Sequence, residues 1–146
     1  VDLLERARIL AASPLLAGLP ASVLVRLAAN ARVHTLAAGA PCPTGDAVWI
    51  VADGEVELDG AIASAGAAIG LVGLCAGLVA ERAPAIGHAR GAATVLALAA
   101  DEVRDLLEED PRATAALADA LATALLVPTG RDHAAPVAPS KAGAPR

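Results

Sequence analysis

Residues 38–77 read AGAPCPTGDAVWIVADGEVELDGAIASAGAAIGLVGLCAG, a series of short apolar segments cut by glycine. Residues 47–52 form one such segment and read as a strand. Val48 and Ile50 fall on one face and Trp49 and Val51 on the other, because side chains alternate along a strand. Asp53-Gly54 supports a tight turn into a strand at 55–58. Asp59-Gly60 is a hairpin signal leading into 61–65. Gly66 turns the chain into Ala67-Ala68-Ile69. Two prolines, Pro41 and Pro43, confine residues 41–43 to a sheet edge, since proline cannot donate to a central ladder.

The flanking sequence has a different period. Residues 2–12 read as a helix with Leu3, Leu4, Ala7 and Leu10 at helical spacing, started by the charge of Asp2 and stopped at Ser13-Pro14. A second helix is expected over 21–30 with Val23, Leu24, Leu27 and Ala28 inward, ending at Asn30. Val33 and Leu36 open a strand, which Ala38-Gly39 turns. Residues 72–79 read as a short helix, and 85–89 and 93–98 as two strands joined through Arg90-Gly91. Residues 101–109 are helical, with Val103, Leu106 and Leu107 on one face. Pro111 suits the first turn of a last helix reaching Val127, in which Leu117, Leu121 and Leu125 make a narrow apolar stripe. The stretch 128–146, rich in proline and alanine, reads as a disordered tail. The order predicts one domain over 1–127. Its class is α+β: an antiparallel β-roll, jelly-roll-like, of about eight short strands, with N-terminal helices, a short inserted helix and two C-terminal helices.

Composition narrows the function classes. About 40 of the 146 residues are alanine, so a mean hydropathy of +0.59 overstates the core these side chains can build. The formal charge is −5 with scattered arginines, which is no footprint for nucleic acid. Cys42 and Cys75 match no metal spacing and read as two buried thiols, with a disulfide as the alternative. His34, His88 and His133 have no metal-like spacing either, and His34 and His88 read as strand residues. Glu102, Asp105, Glu108 and Glu109 read as a solvated helix face. No serine or cysteine nucleophile motif is present, and Gly70-x-x-Gly73 lacks the lysine of a triphosphate-binding loop, so no enzyme is expected. The first ten residues carry Asp2, Glu5, Arg6 and Arg8, unlike a signal peptide, and a cytoplasmic location is expected. The chain starts at Val1 and contains no methionine, which fits a processed chain or a piece of a longer protein.

Residues 61–80 are twenty in a row without charge and contain Gly66-x-x-x-Gly70 and Gly73-x-x-x-Gly77. Length alone would admit a membrane span. Alanine and glycine dominate the run, no aromatic belt or basic flank marks its ends, and the Asp59-Gly60 hairpin signal precedes it. No direct membrane insertion is therefore expected.

The joint spacing of Pro14-Leu15-Leu16-Ala17-Gly18-Leu19-Pro20, Ala38-Gly39, Gly45-Asp46 and Gly54-Glu55-Val56 resembles the cyclic nucleotide-binding domain family over residues 3–127. The resemblance implies a phosphate-binding cassette of Gly-Glu, a short helix, then Arg and Ala-Thr or Ala-Ser. In it the Glu accepts from a ribose hydroxyl, the Arg pairs with the cyclic phosphate, and helix N-terminal amides cradle that phosphate. Here Gly70 matches the Gly, Leu71 replaces the Glu, and Val72-Gly73-Leu74-Cys75-Ala76-Gly77 fits the helix. Arg82 takes the Arg position with about two extra residues before it, and Pro84-Ala85 replaces Ala-Thr. An alternative alignment places Arg90-Gly91-Ala92-Ala93-Thr94 there, but leaves one strand before the helix at 101 where the roll needs two. Candidate ligand residues are therefore Gly70, Leu71, Val72, Gly73, Arg82, Pro84 and Ala85. Arg82, beside Glu81, reads equally as a solvated loop charge, and Gly66 and Gly70 read first as turn residues.

Leu71 offers no acceptor. Losing a charged hydrogen bond costs about 1.5–3 kcal/mol, roughly ten- to hundredfold in affinity. The resemblance thus implies a degenerate regulatory or interaction domain with no cofactor. Its partner is expected to be another protein, an attached domain, or a second copy through the last helix. A working sensor for a cyclic nucleotide or another phosphate-bearing ligand, held by Arg82 and the backbone after Gly70, is the alternative.

Overall fold

The computed structural model describes residues 1–42, 47–58, 60–70 and 87–126. Helix α1 (Leu3–Ala12) starts where Asp2 Oδ1 accepts from the Glu5 amide at 2.8 Å, and ends where the Ser13 amide donates to the Leu10 carbonyl. Its inward face is shorter than the sequence implies. Leu10 is buried and Ala7 and Ile9 are partly covered, but Leu3 and Leu4 stay 43% and 59% exposed. Only the second half of α1 reaches the core. Helix α2 (Ala21–Asn30) buries Val23, Leu24, Leu27 and Ala28, the expected four. Arg6 Nη1 donates to the Ala31 carbonyl at 2.9 Å and ties α1 to the end of α2.

Among the described residues seven strands follow: β1 (Arg32–Leu36), β2 (Ala47–Asp53), β3 (Val56–Leu58), β4 (Ala61–Ala63), β5 (Ala68–Ile69), β6 (His88–Ala89) and β7 (Ala93–Ala99). They form two antiparallel sheets, β1-β7-β2-β5 and β4-β3-β6. Residues 39–42 extend the second sheet beyond β6. Gly39 and Cys42 donate to the carbonyls of Ala89 and Gly87, both at 2.7 Å, and Pro41 bridges His88. The expected edge segment therefore lies on an edge as far as Cys42; Pro43 lies outside the described residues. β3 and β4 pair as the expected hairpin, with Leu58 opposite Ala61 and Gly60 at φ +80°; Asp59 lies outside the described residues. Residues 61–63 and 68–69 of the charge-free run are strands, and no described helix is long and apolar enough to cross a membrane.

Asp53-Gly54 carries the chain from one sheet to the other. The β2–β7 register slips between Val51 and Asp53, and such irregularities bend a strand out of its sheet. Beyond the bend, β3 pairs in the second sheet. The chain crosses back at Arg90-Gly91, between β6 and β7. The two corners touch: the Arg90 amide donates to the Glu55 carbonyl at 3.0 Å. Gly54 has φ +83°, and a Cβ there would lie 2.6 Å from the Ala92 carbonyl oxygen and 2.8 Å from Ala93 Cα. The corner accepts only glycine, because its missing side chain is the space the other corner fills.

Strands β2 and β7 are apolar on both faces because both faces are covered. Val48, Ile50, Leu96 and Leu98 meet the helices, while Trp49, Val51, Val95 and Ala97 meet the second sheet through Val56, Ala89 and Cys42. Helix α3 (Ala100–Glu109) buries Val103 and Leu106, and α4 (Pro111–Leu126) buries Ala113 and Leu117 on the same outer face as α1 and α2. Arg26 of α2 pairs with Glu109 of α3 at 2.9 Å, joining the two ends of the chain.

Candidate functional site

The approach to the candidate cassette is built by β5. Ile69 stands opposite Trp49, so the chain emerges beside the start of β2. Gly70 then takes φ +90°, where a Cβ would lie 3.3 Å from the Ala47 carbonyl oxygen. A side chain at this position would be both strained and crowded. Turn geometry thus accounts for Gly70 with no ligand needed. Leu71, Val72, Gly73, Arg82, Pro84 and Ala85 all lie outside the described residues, as does the expected helix at 72–79.

The chain re-enters the fold at Gly87. Its carbonyl accepts from Cys42, and a Cβ on it would meet Val56 Cγ1 at 2.8 Å. Burial among these apolar neighbours pushes the Cys42 thiol pKa up, so this sulfur is a packing group and a poor nucleophile.

Arg90, the alternative cassette arginine, is exposed in the corner between β6 and β7, next to Glu55. Gly70 lies at the Ala47 end of β2 and Arg90 beyond its Asp53 end. Seven residues of strand separate them, roughly 20 Å. One small anion cannot contact both.

One feature of the roll interior escaped sequence reasoning. His34 of β1 meets the Trp49 ring edge-on, with centroids 5.3 Å apart and planes at 68°. The two strands are not neighbours, since β7 lies between them. The pair forms because Trp49 stands opposite Ala97 of β7, whose small side chain leaves the rings room to meet. Only the strand order reveals this. His88 is exposed, and the described residues contain no group of histidine, cysteine or carboxylate side chains able to hold a metal ion.

No protein-family model and no curated protein sequence matches the chain. Solved structures do. The N-terminal domain of a transcriptional regulator from Streptomyces coelicolor is 28% identical, with a TM-score of 0.60, over 85% of this chain and 90% of that one. The sensor domain of the transcriptional regulator DNR from Pseudomonas aeruginosa is 15% identical, with a TM-score of 0.68, over 82% and 93%. The regulatory domain of Toxoplasma gondii PKA, solved with cAMP, is 20% identical, with a TM-score of 0.60; the match covers 71% of this chain but only 44% of that one. With helices from both ends of the described chain on one face of a two-sheet antiparallel roll, the chain has the fold of the cAMP-bound regulatory domain and of the DNR sensor domain, the cyclic nucleotide-binding fold.

Proposed function

We propose that this domain is a regulatory or interaction module of a larger protein, in which the roll persists as a scaffold and cyclic AMP is not bound tightly. Leu71 carries this reading. It directly follows the Gly70 turn, where the family pattern calls for a glutamate, and an isobutyl group cannot accept a ribose hydroxyl. Pro84-Ala85 in place of Ala-Thr removes a second polar contact. The similarity to domains of transcriptional regulators supports a role exerted through attached or partner proteins. Leu71→Glu tests the assignment. The variant restores the acceptor and is expected to tighten cyclic AMP binding roughly ten- to hundredfold, the worth of one charged hydrogen bond. Unchanged binding in a folded variant would remove Leu71 from the argument.

A second reading keeps the site working as an anion sensor through Arg82 and the backbone after Gly70. In that reading the Arg82 guanidinium and the backbone amides after Gly70 are the anion-binding groups. Arg82→Ala would then abolish binding of a phosphate-bearing ligand while Arg90→Ala left it intact.

The expected contact with a second copy runs through the Leu117, Leu121 and Leu125 stripe of α4, but Leu117 is buried and Leu121 packs on the core, so a second copy would have to use the exposed end of the helix. Its first half is anchored by Ala113 and Leu117, while Ala122, Thr123 and Ala124 are exposed. Sedimentation velocity at rising concentration is expected to show a dimer, and Ala122→Glu to remove it. A monomer at every concentration would overturn this assignment.

A further inference from the structure

We draw no further inference here: the strongest candidate, the groove between the turn at residues 14–18 and α4, is an apolar small-residue face lined by Gly18, Ala116, Ala120 and Ala124, and nothing in the structure shows what covers it.

Discussion

Replacing Gly54 with alanine tests whether the two corners of the roll hold each other in place. Gly39, Gly54 and Gly60 have nearly the same backbone, with φ of +81°, +83° and +80°. They differ in surroundings. A Cβ on Gly39 or Gly60 meets nothing within 4 Å, whereas one on Gly54 meets Ala92 O, Ala93 Cα and Ala93 Cβ at 2.6–2.9 Å. All three alanine variants carry the left-handed backbone strain of about 1–2 kcal/mol. They also share the entropy that alanine removes from the unfolded chain, so that contribution cancels between them. Gly54→Ala alone must force apart two backbone segments held by the sheets, which adds about 1–3 kcal/mol by analogy with overpacked cores. The expected loss for Gly54→Ala therefore exceeds those for Gly39→Ala and Gly60→Ala by about 1–3 kcal/mol, out of a total near 5–15 kcal/mol. Urea unfolding followed by Trp49 emission measures them. Trp49 is the sole tryptophan and is 8% exposed, so its environment changes on unfolding. If Gly54→Ala loses no more than Gly60→Ala, the corner-on-corner contact does not constrain the fold.

Two further outcomes follow from titratable groups. Asp110 caps α4, its Oδ1 accepting from the Arg112 amide at 2.9 Å. Burial pushes its carboxyl pKa up, but the hydrogen bonds from the Arg112 amide and guanidinium, the guanidinium charge and the Ala113 amide outweigh this and hold it below the usual value. A depressed folded-state pKa stabilises the fold above the unfolded carboxylate's titration range, and that stability is lost as pH falls through the folded value. Asp110→Asn should therefore flatten the acid limb of a plot of urea midpoint against pH; an unchanged limb would contradict the cap. Cys42, buried with a raised thiol pKa, should react with iodoacetamide at neutral pH only as fast as the fold opens, measured in a Cys75→Ser background. Modification within seconds in the folded protein would show that the roll interior is open there.

The two-sided burial of β2 was legible because alternation is local: Val48 and Ile50 separate from Trp49 and Val51 whatever the neighbouring strands are. The hairpin between Leu58 and Ala61 was legible for the same reason, being set by turn chemistry within four residues. The corner at Gly54 was only half legible. Asp53-Gly54 announces a turn, but whether the next strand folds back or changes sheets depends on the distant Ala92–Ala93 backbone. Leu3 and Leu4 misled because helical spacing marks a face without saying how far along the helix a partner reaches. The His34–Trp49 contact was invisible because it depends on strand order across β7. At the candidate site Gly70 was legible as a turn glycine, because a positive φ there strains and crowds a side chain beside Ala47.

Calorimetric titration of the chain with cyclic AMP and cyclic GMP is the most direct test of the central claim. No measurable heat is expected below millimolar nucleotide, with the Trp49 emission and the melting temperature unmoved in the same range. Micromolar binding would contradict it, showing that Leu71 is tolerated and that the roll is a working nucleotide sensor.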